Sequence, residues 1–444
     1  MKIKSIWEED LSSNYLNLNK NIECDILIIG GGISGILSAY YLNDSNLNIV
    51  LVERNKLLSA TTSKMTAKVT LLQDILTKID NKYLLTYLHS QLAGLNLLKS
   101  NINKLNIKCD FCKNDSYLYT TKFKNINKIK KIENIFNKLN IDIKKDKIPI
   151  KELKSVYSIK SNLSYEINPI KYLNSIIKSL NNVNIYENTN IIKVFKRDNY
   201  YNCLTSNNII IKTKKVIFAC FYPYFIKPLL FPLKVTLERA NIVCGNSNYK
   251  GNYNLINIDK NINSIRFYKD KMIYLYDCKL ISSFKNIINN KIVNNIDYYF
   301  TNMDIITNNY LPLVGEIEKN MYIITGYNTW GILSSHIGAR YLSNVVLNNK
   351  EYLEYKKIFN PRKSLSIQII SNSFINICES IKGYIKGLKY LNNPQCPHLK
   401  CKLIYNKLED TWDCPCHGSR FNKNGKIISG PAKKVKKCKQ CKKK

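Results

Sequence analysis

No run of about 18 apolar residues occurs in this 444-residue chain, so no membrane-spanning helix is expected. The segment from Met1 to Glu23 is polar and lacks the apolar core of a secretory leader, which makes the cytoplasm the expected compartment. Acidic residues are scarce: 32 Asp and Glu stand against 68 Lys and Arg, for a net charge of +36. An excess of that size can serve nucleic acid or anionic lipid. No nucleic-acid module is recognisable, and the lysines are scattered through Asn- and Ile-rich stretches, so they read as solvated faces. Nucleic acid is not an expected partner. The one dense run is Lys433-Lys434-Val435-Lys436-Lys437 with Lys442-Lys443-Lys444, which suits a disordered arm or a docking patch for an acidic redox protein. No internal repeat is present. The 14 cysteines do not read as a disulfide framework in a chain without a leader. Cys109-x-x-Cys112 and Cys438-x-x-Cys441 could be dithiols or half metal clips, but each lacks a second pair nearby, which favours plain thiols.

Histidine is the scarcest chemistry-bearing residue, with four in all, and two of them fall in one short stretch. Cys396-Pro397-His398 is followed after fifteen residues by Cys414-Pro415-Cys416-His417. Two thiolates can hold one iron of a binuclear cluster while two imidazoles hold the other, which raises its reduction potential. Cys and His at loop spacings also suit zinc. The proline in both loops, the additional cysteines and the Gly418-Ser419 pair favour iron. With Leu399 and Cys401 after the first pair, and Gly418-Ser419-Arg420-Phe421 and Gly430-Pro431-Ala432 after the second, the stretch resembles the Rieske [2Fe–2S] family. The resemblance implies Cys396, His398, Cys414 and His417 as cluster ligands, a loop-clamping disulfide between Cys401 and Cys416, and a Ser419 hydroxyl bonded to a cluster sulfide. Respiratory-type relatives carry a tyrosine at Phe421 whose hydroxyl bonds a ligand sulfur. One donor fewer implies a lower potential, and Phe421→Tyr is expected to raise it. Lys400 replaces the family's usual glycine. Most of the strands that precede the first ligand loop in relatives are missing, so the module is minimal and is expected to lean on the rest of the chain.

At the other end, Cys24 to Ile29 reads as a buried parallel strand running into Gly30-Gly31-Gly32-Ile33-Ser34-Gly35 and a helical segment. A second apolar run, Ile49 to Val52, ends in Glu53. This is a dinucleotide-binding fingerprint in its full context. Gly30 permits the tight turn, Gly32 the approach of a pyrophosphate, and Gly35 close helix–strand packing. The helix N-terminus, where Ser34 stands, favours phosphate, and Glu53 can accept from ribose hydroxyls. Thr61, Thr62 and Ser63 offer hydroxyls and backbone donors just downstream. The strand Met321 to Thr325 leads into Gly326-Tyr327-Asn328-Thr329-Trp330-Gly331 and a helix.

At these residues the chain resembles the D-amino-acid-oxidase-like (glycine-oxidase-like) FAD-dependent oxidoreductases over roughly Asp25 to Asn348. The resemblance implies an α/β fold: a Rossmann-type FAD-binding domain interleaved with an α+β substrate domain, here followed by a small all-β Rieske module. It implies FAD parts at about 1–75, 160–225 and 304–350 and a substrate domain at about 76–159 and 226–303. These parts belong to an oxidoreductase unit at 1–355, followed by a bridging helix or linker at 356–386 and the Rieske module with its basic tail at 387–444. Gly326, Trp330 and Gly331 would face the flavin. Arg266 resembles a position near the substrate and could bind a carboxylate, or it is a structural arginine. The family's usual acidic residue before the Pro-x-x-Gly turn is Asn309 here, while Asp304 keeps an earlier acidic position, and Tyr276-Asp277-Cys278 replaces a histidine-containing strand end. His336 reads as a packing residue and His89 as an exposed one. A small organic substrate, an amine or amino acid, is expected to reduce FAD, with the cluster relaying single electrons to an external acceptor or from an external donor. The alternatives are a redox sensor or carrier with little turnover, and a cationic binder on a vestigial oxidoreductase fold.

Overall fold

The computed structural model describes residues 1–223, 231–259, 263–277, 292–362, 378, 381–385, 387–416, 418–430 and 432. The expected bridging helix from Ser364 to Lys382 falls mostly outside these residues. The basic tail with Cys438 and Cys441, as well as Cys278 and the ligand candidate His417, also lie outside them. Among the described residues no helix is long and apolar enough to cross a membrane.

The second half of strand β1 (Ile22–Ile29) and the whole of strand β2 (Ile49–Val52) are unbroken, buried apolar runs, as befits parallel strands covered on both faces. They sit inside an eight-stranded sheet in the order Leu313–Glu318, Met321–Thr325, Ile210–Phe218, β1, β2, Val183–Tyr186. All neighbours on this path run parallel except the outermost pair, Leu313–Glu318 and Met321–Thr325. Helix α1 (Ile33–Leu42) follows β1 directly. Helix α2 (Asn81–Lys104) is capped by Asp80, which accepts the Lys82 amide at 3.0 Å. Asn168 caps the helix Pro169–Lys178 in the same way, accepting the Ile170 and Lys171 amides at 3.1 Å.

A second, nine-stranded sheet faces the first. It contains the antiparallel pair β3 (Val235–Asn246) and β4 (Asn295–Thr307), with β4 at one edge and Lys68–Thr70 at the other. The ladder of Lys68–Thr70 with Tyr157–Glu166 brings residues 68–70 and 160–166 into this layer. Likewise β4 carries the layer on to Thr307. Hydrogen-bonded pairing thus decides where the layers exchange chain. Helix α3 (Gly331–Leu347) packs on α2 at Gly94, where a Cβ would lie 2.4 Å from the Leu333 carbonyl oxygen.

A four-stranded antiparallel meander, Ile404–Asn406, Thr411–Asp413, Arg420–Asn422 and Ile427–Ser429, closes around Cys396, Leu403, Trp412, Cys414 and Phe421. It docks on β3 and β4. Because successive side chains alternate between faces, one face of this pair turns to the meander through Arg239 and Thr301, and the other turns inward through Glu238 and Asp304. Arg239 reaches Asp413 at 2.5 Å and also Glu409. Arg420 meets Glu409 at 2.7 Å and donates to the Thr301 hydroxyl at 2.9 Å. All four charged side chains are nearly inaccessible to solvent, so they form one buried, charge-balanced contact.

Candidate active site and cluster site

Between the two sheets lies one continuous cavity. Its nucleotide end is lined by Gly30, Gly32, Ser34, Glu53, Arg54, Thr61, Thr62, Ala219 and Cys220, and its far end by the inner faces of β3 and β4. Gly30 has φ +118°, and a Cβ there would lie 2.6 Å from the Ala219 carbonyl oxygen, so only glycine fits this turn. The Gly35 hydrogens face the Gly30 carbonyl, which a Cβ would overlap at 1.9 Å. These close approaches make the cradle a dinucleotide phosphate requires, and FAD fits it.

Glu53 lines the cavity and also braces the loop, accepting the Gly31 amide at 2.8 Å and the Asn55 amide at 2.9 Å. Thr62 accepts the first helical amide, Ile33, at 3.0 Å, and Ser34 shares a hydrogen bond of 2.7 Å with the Tyr327 hydroxyl. Ser63 does not line the cavity. Its hydroxyl donates to the Ala60 carbonyl at 3.2 Å, and its own carbonyl accepts from Ser5. Gly326, Trp330 and Gly331 all line the cavity, with the Trp330 indole fixed to Asp74 at 2.8 Å. Asn328 (φ +54°) and Thr329 (φ +74°) stand in the left-handed region just before α3. For the β-branched Thr329 that conformation is strained, the kind of local cost that accumulates at working sites.

The far end carries chemistry the sequence did not flag. Glu238 and Asp304 are direct cross-strand partners, and both line the cavity. Burial, and then the neighbouring Glu238, push the Asp304 carboxyl up to about 7, and burial also raises Glu238. Lys68 lines the same cavity, is buried, and its ammonium nitrogen has no hydrogen-bond partner. Burial, reinforced by Arg266, drives its pKa well down. Among the described residues the cavity's only cations are Arg54 and Lys68.

Arg266, for which the sequence leaves a carboxylate clamp or a structural role open, is not among the lining residues. It is fully buried, and its guanidinium donates to the carbonyls of Thr66 (3.1 Å), Ala67, Ile167 (3.0 Å) and Phe267 (3.3 Å) while lying over Trp7. With five donors in a fixed fork, those bonds leave little for a ligand. It ties the Lys68 strand to the sheet. His336 is a packing residue held by the Tyr172 hydroxyl and the Ile332 carbonyl, both at 2.7 Å, and burial lowers it to about 4. His89 is exposed. Cys109 and Cys112 are unbridged, and burial raises both thiols to about 12.

In the small module each ligand loop closes on itself: the Cys396 amide donates to Cys401 and the Cys414 amide to Ser419, both at 2.8 Å. A disulfide joins Cys401 to Cys416 with Cα atoms 6.6 Å apart. The Cys401, Cys414 and Cys416 sulfurs lie within 4.8 Å of one another, but two of them are spent in that bridge. Cys396 and Cys414 therefore remain as the candidate thiol ligands, both buried. Cys396 is drawn down to about 7, first by its hydrogen bond with Cys414, with further donors at the His398 and Leu399 amides and the Ser419 hydroxyl, all against burial. That surrounding favours thiolate and suits a cluster. Ser419 also accepts the Ala432 amide at 3.2 Å. His398 is exposed beside them. Lys400 has φ +57°, a left-handed conformation that glycine adopts without strain. The module also reaches the nucleotide cavity: Gly430 lines it, and Arg54 donates to the Ile428 carbonyl at 3.1 Å.

Comparison with known proteins points to the same two cofactors. Residues 25–240 match the model of the FAD dependent oxidoreductase family, and residues 362–439 match that of the Rieske [2Fe-2S] domain. The chain is 26% identical over 480 residues to the "Putative Rieske 2Fe-2S iron-sulfur protein YhfW" of Bacillus subtilis, covering 94% of this chain and 93% of that protein. Among solved structures, glycine oxidase from Geobacillus kaustophilus superposes with a TM-score of 0.65 at 11% identity, over 78% of this chain and 100% of that one. The L-amino acid deaminase from Proteus vulgaris gives 0.62 at 13% identity, over 80% and 99%. At such identities these two structures speak for the fold.

Proposed function

We propose that this chain, which matches the FAD dependent oxidoreductase family over residues 25–240 and the Rieske [2Fe-2S] domain over residues 362–439, oxidises a small amine and passes the electrons on singly to an external acceptor. When bound, FAD supplies a two-electron hydride acceptor and the cluster a one-electron carrier. The chain's own residues supply binding and orientation. Gly30, Gly32 and the N-terminus of α1 would hold the pyrophosphate, with Glu53, Thr61 and Thr62 alongside. Gly326, Trp330 and Gly331 would back the flavin. Cys396, His398, Cys414 and His417 would ligate the cluster, with Ser419 donating to it.

The observation that carries the choice of an amine is the Glu238–Asp304 pair, which opens into the cavity while Arg266 is turned away. Two carboxylates facing one cavity favour an ammonium group, and their mutual repulsion falls when a cation lies between them. The substrate carbon gives up a hydride, and its nitrogen gives up a proton. Water then hydrolyses the imine to a carbonyl compound and free amine or ammonia. The two electrons leave one at a time.

The test is an anaerobic screen of holoenzyme against primary and secondary amines and against amino acids, reading loss of the oxidised flavin absorbance. Bleaching by amines without a carboxylate supports the proposal. Bleaching by amino acids alone, or by nothing, contradicts it.

A further inference from the structure

The cluster module is fronted by a helical segment, residues 381–385 and 387–388. Its glycines, four apart, form the contact side. A Cβ on Gly383 would lie 2.3 Å from the Pro415 carbonyl oxygen and 2.9 Å from the Cys416 Cα, and one on Gly387 would lie 3.3 Å from the Lys402 carbonyl oxygen. The segment therefore rests directly on the chain around both ligand loops, and the Asn393 side chain, donating to the Leu403 carbonyl at 2.9 Å, fixes the chain just beyond it.

The other side is bare and apolar. Ile381, Tyr384, Ile385, Leu388 and Leu391, with Leu399 beside the exposed His398, are 47 to 67% exposed. Seven of the fifteen large exposed hydrophobic residues in the described chain fall between Ile381 and Leu399, so this is a concentrated patch rather than the usual scatter. Its rim is cationic: Ser380 to Leu408 contains six lysines and no acidic residue, and Lys382, Lys389 and Lys400 are exposed.

We propose that this glycine-backed helix and Leu399 form the docking surface for the external one-electron partner, a redox protein with an apolar contact face ringed by carboxylates. The inference rests on the reading of the cluster as an outward relay, and it adds where and to what the electrons pass. An apolar centre excludes water over the ligand loops while the lysine rim steers an acidic carrier. A second copy of the chain would bring like charge to like. A lipid surface would cover the ligand loops without supplying an electron carrier.

The probe is an acidic plant-type [2Fe–2S] ferredoxin, used with the full-length holoprotein. Calorimetry of the oxidised pair reads binding without turnover. Stopped-flow mixing of reduced ferredoxin with the oxidised cluster reads the transfer of one electron, with no bond made or broken. Binding that weakens about tenfold from low to high salt is expected. Ile385→Asp with Leu388→Asp should weaken binding and slow transfer by about tenfold or more, and Lys389→Glu should weaken binding and flatten its salt dependence. Ferricyanide, too small to need the surface, should oxidise the reduced cluster equally in all of them.

Absence of ferredoxin binding, binding equal in wild type and variants, or binding insensitive to salt would overturn the proposal. So would adsorption to phosphatidylserine vesicles, or self-association, that the same substitutions abolish. If ferricyanide failed to oxidise the cluster even in wild type, the relay reading itself would be at fault, and the surface would not.

Discussion

Replacing Arg239 by methionine should undock the cluster module. The Arg239 side chain is 3% exposed and faces Asp413 (6%) and Glu409 (8%), with Arg420 (6%) completing two cations against two carboxylates. Arg239→Met keeps the length of the aliphatic stem and removes one cation, leaving two buried carboxylates to share Arg420. Breaking one side of a buried pair costs about 3–5 kcal/mol, against about 0–1 kcal/mol for a surface pair. Burial pushes Asp413 up, but Arg420 and Arg239 outweigh it and hold the carboxyl below its ordinary value. A depressed carboxylate contributes stability above its unfolded pKa and loses it as the pH falls through the folded one, so docking should also weaken in acid. The assay is urea denaturation of holoprotein, following visible absorbance of the cluster separately from that of the flavin. The cluster transition should move by about 3–5 kcal/mol in Arg239→Met, and much of that should return when Glu409→Gln is added, because Arg420 and Asp413 then remain as a balanced pair. A shift below about 1 kcal/mol, or no recovery in the charge-balanced double variant, would refute the reasoning.

Because Asp304 titrates near 7, the ionised form that holds a cation exists above that pH. The kcat/KM for an amine should therefore rise as the pH climbs through about 7, while Asp304→Asn should be about tenfold less active or worse and lack that rise. A profile unchanged by the substitution would exclude the carboxylate from substrate binding. Lys400→Gly should stabilise the cluster transition by up to about 1 kcal/mol by relieving a left-handed residue, and a loss of stability would show that its side chain matters more than its φ. Replacing Cys401 and Cys416 by serine removes a cross-link between positions 15 apart, worth about 3 kcal/mol in the cluster transition, and an unmoved midpoint would count against a clamping role.

Both cofactor sites were legible because their chemistry is local. Gly30 to Gly35 and the Cys-x-His and Cys-x-x-His pairs lie within a few residues, and their spacing maps directly onto a turn or a loop. The substrate end was not, because it is assembled across strands. Glu238 and Asp304 are 66 positions apart and meet only through the register of β3 with β4. Lys68 gave a faint signal, a charge in a short buried strand, yet nothing in sequence says whether such a lysine faces a cavity or solvent. Arg266 stayed open in the sequence because an arginine suits either a carboxylate or a set of carbonyls, and only the fold shows that its guanidinium donates to Thr66, Ala67 and Ile167. The expected dependence of the minimal module on the rest of the chain takes physical form in Arg239 and Thr301, which lie on the opposite face of these strands from the cavity-lining Glu238, Ala240, Asn302 and Asp304.

The most direct test of the account is freeze-quench EPR alongside visible absorbance after anaerobic mixing of holoprotein with an amine that reduces it. The account predicts that the signal of a reduced Rieske cluster grows in step with flavin bleaching, at a rate independent of protein concentration. Bleached flavin with a cluster that stays oxidised, or metal analysis that finds zinc in place of iron and acid-labile sulfide, would contradict it.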